Sequence, residues 1–307
     1  MTQLKVAVLG VGLIGGSVGL AARRRLGAHI VGYDPDPDAL SKAVELGAIH
    51  EPADDVARTV TDADYAFVAT PVGPAVEVAR AALAASGPDC VVSDVGSTKR
   101  HIAHELPDPR FIPGHPLAGA ETAGVEGARE SLFDEALWYL TPARVEAAPA
   151  LARMEGLIGQ LGATPVAIAP DAHDRLMASV SHMPHVLANV LVSQALRVAP
   201  TQTGRGLHTG TVGANPSFRD ATRVAGANTR IWTDIYMSNA DLLAEALDEA
   251  IRELSGVRDA LDAEDADALA AWNERAREAR ERLAGSALKP APDGGFGSEA
   301  AGPAQGS

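Results

Sequence analysis

"KVAVLGVGLIGGSVGLAA", residues 5–22, decides the fold. A short apolar run of strand character meets three glycines, Gly10, Gly12 and Gly15, in G-x-G-x-x-G spacing, and the chain leaves them in an alanine-rich stretch of helical composition. Each glycine has its own physical reason: a tight turn at Gly10, close approach of backbone to a pyrophosphate at Gly12, close helix packing at Gly15. The phosphate charge would rest on the helix N-terminus. The next strand-like run, "HIVGYD", ends in Asp34, 19 residues after Gly15, where a carboxylate can hydrogen-bond an adenosine ribose. Strand, loop, helix and carboxylate together predict a dinucleotide site with contacts from Gly10, Gly12, Leu13, Ile14, Gly15 and Asp34. A carboxylate there repels a 2′-phosphate, and Asp36 and Asp38 follow with no arginine at hand, so NAD is expected over NADP.

Working outward, "YAFVAT", "CVVSD" and "RFIPG" continue the series of buried, near-continuous apolar strands, with "WYLTP" and "TPVAIAP" as two later ones. Their alternation with helical runs predicts an α/β Rossmann-like domain with a mostly parallel sheet over residues 1–168. After that the β signals vanish. Leu176, Val180, Leu187, Val190 and Leu191 recur at helical spacing, as do Ile231, Ile235, Leu242, Ala246, Ile251 and Leu254. The expectation is an all-α domain over 169–285, so apolar that a homodimer built through it is the economical way to cover it, with a self-sufficient helical bundle as the alternative. Residues 286–307, rich in Pro, Gly, Ser and Ala without periodicity, read as a disordered tail.

Composition narrows the function classes. The formal net charge of -14 repels phosphate backbones and anionic lipid, so neither nucleic acid nor membrane is an expected partner. The single cysteine, Cys90, lies in an apolar run and has no partner for a disulfide, which suits a reducing cytoplasm. No charged-then-apolar leader and no apolar run of about 20 residues stand out.

Ligands of open α/β sheets lie at the carboxyl ends of the strands. Three such ends carry polar residues: Thr70 and Pro71 in "VATPV", the segment "SDVGSTK" (93–99), and His115 in "GHPLAGAETAGVEGA" (114–128). The last segment reads as loop, too rich in glycine for a helix and too poor in β-branched residues for a strand. A neutral imidazole there, beside a nicotinamide, is a candidate proton acceptor. Ser97 fits either the site or a cap for the helix beginning in "STKRHIAHEL"; Lys99 reads as structural or nucleotide-facing. In "SHMPHVLAN" (181–189), Pro184 clashes with the carbonyl of Val180 and predicts a kink beside His182 and His185. Nothing around these histidines resembles a metal-ligand pattern, and no metal is expected. In "NPSFRDATRVAGANTRIW" (215–232), Ser217 and Asp220 fit a capping box that would set Arg219 and Arg223 four apart on one helix face. Such a pair is either a solvated face or an anion clamp.

"GVGLIGGS", "SDVGSTK", "GHPLAGAETAGVEGA", "SHMPH" and "FRDATRVAGANTRIW" occur in this order over roughly residues 4–285, and the set resembles the prephenate dehydrogenase family with its arogenate dehydrogenase relatives. The resemblance implies NAD-dependent oxidative decarboxylation of prephenate to 4-hydroxyphenylpyruvate, a step of tyrosine biosynthesis. By similarity His115 takes the proton of the ring C4 hydroxyl, Ser97 bonds that hydroxyl or orients His115, and Arg223 binds a substrate carboxylate with Arg219 near. His182 and Glu121 would line the pocket, and Trp232 would sit near substrate at the dimer interface. The chain departs from its relatives at "GANPS" (213–217), where many have a glycine run, and no chorismate mutase segment or regulatory domain is expected.

Three other readings compete. Arogenate or an amino-substituted prephenate would use the same chemistry. A β-hydroxyacid dehydrogenase would need a lysine base in the helical half, where none precedes Lys289. A non-catalytic NAD-sensing protein would keep the nucleotide site and leave His115 and Arg223 dispensable.

Overall fold

The structure, a computed structural model, describes residues 3–119, 124–198 and 215–285. Glu121 and the expected tail over 286–307 lie outside the described residues. The chain divides into two compact units, Met1–Glu249 and Ala250–Ser307.

The first unit opens with five parallel strands, β1 (Lys5–Leu9), β2 (His29–Tyr33), β3 (Glu51–Pro52), β4 (Tyr65–Val68) and β5 (Val91–Asp94), in the order β3-β2-β1-β4-β5. Helices α1 (Leu13–Leu26), α2 (Pro37–Glu45), α3 (Val56–Val60), α4 (Val72–Ala85) and α5 (Arg100–Glu105) make or follow the crossovers. Val6, Val8, Leu9, Phe67, Val68 and Val92 are buried, as expected for parallel strands covered on both faces. Strand order reverses direction at β1, with β2 on one side and β4 on the other. This puts the ligand crevice at the carboxyl ends of β1 and β4.

Beyond α5 the expected strand "RFIPG" forms only in part. Phe111 makes an isolated bridge to Val92, and Pro113, lacking an N–H, cannot continue the ladder. The chain turns instead into a second sheet of β6 (Gly114–Pro116), β7 (Leu137–Leu140) and β8 (Thr164–Ala167), with α6 (Ala148–Gln160) between the last two. β6 runs antiparallel to β7 and β8 parallel to it. His115 therefore stands in a strand and not in the loop its composition predicts. Long-range bonds outweigh the weak local preference: Thr141 N donates to Pro113 O at 2.8 Å and Leu117 N to Leu137 O at 2.8 Å.

From residue 170 the described residues are mainly helical: α7 (Pro170–Met177), α8 (Met183–Val198), α9 (Pro216–Thr222), α10 (Thr229–Ser238), α11 (Ala240–Asp262) and α12 (Ala266–Gly285). The distortion expected from Pro184 takes the form of a π-helical turn, Ala178–His182, between α7 and α8. It contains Val180, whose carbonyl the proline ring would otherwise strike. The run Pro170–Arg197 is long and apolar enough, by length and composition, to cross a membrane. It nevertheless buries His173, Asp174, His182 and His185, and it packs on the surrounding elements through them. Several residues of the expected apolar stripe stay exposed in the single chain, among them Val180 (59%), Leu191 (43%) and Ile231 (47%). The boundary expected at residue 168 marks the change from α/β to helical structure and falls inside the first unit. Within the second unit, Trp272 Nε1 donates to Glu253 Oε2 at 3.1 Å, tying α12 to α11.

Candidate active site

The glycine loop separates into two kinds of glycine. Gly10 has φ +104°, and a Cβ there would come 2.6 Å from Ala69 O; a Cβ at Gly15 would come 1.9 Å from Gly10 O. Both are required by the fold. A Cβ at Gly12 would meet nothing within 4 Å, so protein packing does not explain this glycine. α1 begins there with no side-chain cap and no acidic residue in its first turn, which leaves the N–H groups around Leu13 and Ile14 for an anion. The Asp34 carboxylate, past the end of β2, accepts from Val11 N and Asp36 N, each at 3.0 Å. Thr70, past the end of β4, has a buried Oγ1 with no hydrogen-bond partner among the described residues, and Pro71 opens α4. Open approach at Gly12, an uncapped helix, a tethered carboxylate and an orphaned hydroxyl fit a dinucleotide.

A second cluster surrounds His115. Asp94 and Lys99 form a fully buried ion pair that grips the preceding residue. Asp94 Oδ1 accepts from Gly114 N at 3.1 Å, and Lys99 Nζ donates to Gly114 O at 2.7 Å. Burial lowers the Lys99 pKa against the raising effect of Asp94. Of the two roles open to Lys99, the structural one describes its contacts. Since Asp94 closes β5 beside β4, this clasp sets β6 at the carboxyl edge of the main sheet.

His115 faces a pair of residues outside the set expected from the sequence. Its Nδ1 lies 2.9 Å from His173 Nε2, and His173 Nδ1 lies 2.8 Å from Asp174 Oδ1. Asp174 also caps α5 from across the fold, its two oxygens accepting from Lys99 N at 2.7 Å and Arg100 N at 2.9 Å. Burial raises its carboxyl pKa, but the bonds from His173, Arg100 and Lys99 outweigh that and leave it lowered. Ser97 is thus not the cap; its hydroxyl bonds to nothing among the described residues, in the loop between β5 and α5. The signal for His173 and Asp174 is their spacing with Met177 and Ala178, which places all four on the buried stripe of one helical run.

The helical part supplies the other wall. His182, buried on the π-helical turn, has Nδ1 3.3 Å from Asn239 Nδ2, which also donates to Asp174 O at 2.8 Å. Burial chiefly, with His173 adding to it against Asp174, lowers the His182 pKa to about 4. His115 keeps a partly exposed face, yet burial, then His173, Lys99 and His182, hold it well below the ordinary histidine range. At neutral pH it is uncharged and able to accept a proton. Trp232 stacks on His185 with centroids 3.7 Å apart and meets the His182 ring edge-on at 6.3 Å. Arg219 and Arg223 are both exposed but do not share one helix face. Asn215, not Ser217, caps α9 by accepting from Phe218 N at 3.1 Å, and α9 ends at Thr222, so Arg223 starts the separate 3-10 turn Arg223–Gly226. That turn packs against α8. Cys90 is buried and its thiol is pushed up to about 11, mainly by burial, an inert packing residue.

A doubly wound domain with this nucleotide loop, and an uncharged histidine at its carboxyl edge, defines an NAD-dependent dehydrogenase. Residues 18–167 match the family model for the prephenate dehydrogenase nucleotide-binding domain and residues 169–274 that for the prephenate dehydrogenase dimerization domain. The chain belongs to the prephenate dehydrogenase family. It is 34% identical to the prephenate dehydrogenase of Bacillus subtilis, over 92% of this chain and 77% of that one. It is 31% identical to the cyclohexadienyl dehydrogenase of Zymomonas mobilis, over 91% and 96%. Among solved structures, the Aquifex aeolicus prephenate dehydrogenase in complex with hydroxyphenyl propionate and NAD+ superposes with a TM-score of 0.83 at 26% identity, covering 92% of this chain and 99% of that one. The Synechocystis arogenate dehydrogenase gives 0.77 at 27%, covering 91% and 100%.

Proposed function

We propose that this chain oxidises prephenate to 4-hydroxyphenylpyruvate with NAD. The observation that carries the reading is His115, kept uncharged at neutral pH and clasped through Gly114 to the edge of the nucleotide-binding sheet. Gly10, Gly12, Leu13, Ile14, Gly15, Asp34, Thr70 and Pro71 would hold the dinucleotide. When bound, NAD accepts the hydride that leaves the ring carbon. His115 takes the proton of the hydroxyl on that carbon. The ring carboxylate departs as carbon dioxide, its bonding pair moves through the ring to the C4 oxygen, and that oxygen takes a proton back as the product becomes aromatic. The residues are therefore needed for two things, orienting the carbon and removing one proton. Ser97, with an uncommitted hydroxyl, is the candidate to bond the substrate hydroxyl or to orient His115. Arg223, with Arg219, is the candidate for binding a carboxylate of a dianion that an acidic protein otherwise repels, and His182, Trp232 and Glu121 are candidates for the pocket wall.

In this reading residues 1–168 bind nucleotide, and 169–285 bind substrate and pair with a second copy through the exposed stripe that includes Val180, Leu191 and Ile231. The buried thiol of Cys90 suits a cytoplasmic enzyme. Arogenate is the second candidate substrate, supported by similarity to the Zymomonas and Synechocystis enzymes. Side-by-side turnover of prephenate and arogenate with NAD and NADP tests the proposal. Prephenate with NAD should give the highest kcat/KM; no NADH from either substrate would overturn it.

A further inference from the structure

The chain of contacts behind His115 has a direction. Asp174 is a carboxylate that already accepts from Lys99 N and Arg100 N, and a carboxylate has no proton to give. The 2.8 Å contact between Asp174 Oδ1 and His173 Nδ1 therefore places a proton on His173 Nδ1. In the tautomer that carries its ring proton on Nδ1, His173 presents a lone pair at Nε2. Across the 2.9 Å gap, His115 Nδ1 must be the donor, which leaves His115 Nε2 as the atom with a free lone pair.

We propose that His173 is a positioning residue for the reaction. It fixes the tautomer and ring orientation of His115 so that Nε2 is the base, and with Asp174 it accommodates the charge that His115 gains on protonation. The inference rests on the function proposed above and adds two residues to it. A single histidine held only by its backbone has two tautomers and a free ring torsion, and one of those tautomers is not a base at the required atom. The groups facing His173 are His115 from β6, Tyr139 from β7 with ring centroids 5.4 Å apart, His182 from the π-helical turn, and Asp174 beside it. Of these, only Asp174 is within hydrogen-bond reach of its Nδ1 and only His115 of its Nε2.

The test pairs spectroscopy with kinetics. In protein labelled with 15N-histidine, His115 is identified by the signals lost in His115→Asn, and its tautomer is read without substrate or NAD. The expected result is a proton on Nδ1; a proton on Nε2 overturns the inference. His173→Phe removes the acceptor while keeping a ring, and should lower kcat on the order of 10²-fold, with substrate KM and NAD Kd within about threefold. His173→Gln, whose amide oxygen reaches the place of Nε2, should recover at least tenfold of that loss. Loss of less than threefold in His173→Phe, or a glutamine variant no better than the phenylalanine one, would contradict the role. Should the phenylalanine variant not fold, the tautomer in the unaltered protein decides alone. An unaltered enzyme that turns over neither prephenate nor arogenate, yet shows the Nδ1 proton, refutes the proposed function and not the hydrogen-bond chain.

Discussion

Lys99 Nζ lies 2.7 Å from the carbonyl oxygen of Gly114, so a fully buried ammonium holds the backbone one residue before His115. Its partner Asp94 holds the N–H of the same glycine. Removing one member of such a pair leaves the other charge buried and uncompensated. Lys99→Met should cost about 3–5 kcal/mol of folding stability, read as a lowered urea midpoint. The Asp94→Asn, Lys99→Met double variant should lose less than the sum of the two single losses, because the orphaned charge is gone. Strictly additive losses would show that the two side chains do not act as a pair.

Gly12 and Gly15 separate ligand binding from folding. Gly12→Ala adds a methyl where no protein atom lies within 4 Å. It should leave the melting temperature nearly unchanged while weakening NAD binding at least tenfold by calorimetry. Gly15→Ala drives a methyl against Gly10 O and should destabilise the fold itself, with or without NAD. Equal melting temperatures for the two variants would count against this division.

His182 ties stability to pH. Its ordinary pKa of 6.5 falls to about 4 in the folded chain, so between those values the unfolded chain takes up a proton that the folded one refuses. Stability is complete above pH 6.5 and declines as the pH falls, by about 2 kcal/mol at pH 5. Denaturant titrations at pH 7 and pH 5 should show that loss, to which the lowered pKa of His115 adds in the same direction. His182→Gln should flatten the dependence, whatever its effect at pH 7. An unchanged pH slope in that variant would remove the assignment.

Arg223 begins the turn that packs on α8, the helix that follows His182. Arg223→Ala should raise the substrate KM at least tenfold with little change in the KM for NAD, as loss of a carboxylate contact requires. Arg219→Ala, one turn away on a different element, should have a smaller effect. A parallel rise in both KM values would mark Arg223 as structural.

How much of this was legible depends on the range of the interactions involved. The nucleotide loop was readable because its requirements are local: a strand, three glycines, a helix and one carboxylate in a short stretch. His115 was readable as a residue but not as a strand, since β6 is held by bonds from Lys99, Thr141 and Leu137 rather than by its own composition. His173 is 58 positions from His115, and nothing in one-dimensional spacing links them. Ser217 looked like a cap because serine commonly is one, yet Asn215, just ahead of Pro216, caps the helix instead. The expected arginine face failed at Thr222, whose hydroxyl donates to Phe218 O at 2.7 Å where α9 ends.

The base assignment is tested most directly by His115→Asn, with NADH production and NAD affinity measured on the same preparation. A base at this position predicts a kcat reduced at least 10³-fold, roughly the full contribution of general base catalysis, with NAD affinity within about twofold of the unaltered protein. Turnover within tenfold of the unaltered enzyme, at undiminished NAD affinity, would contradict it.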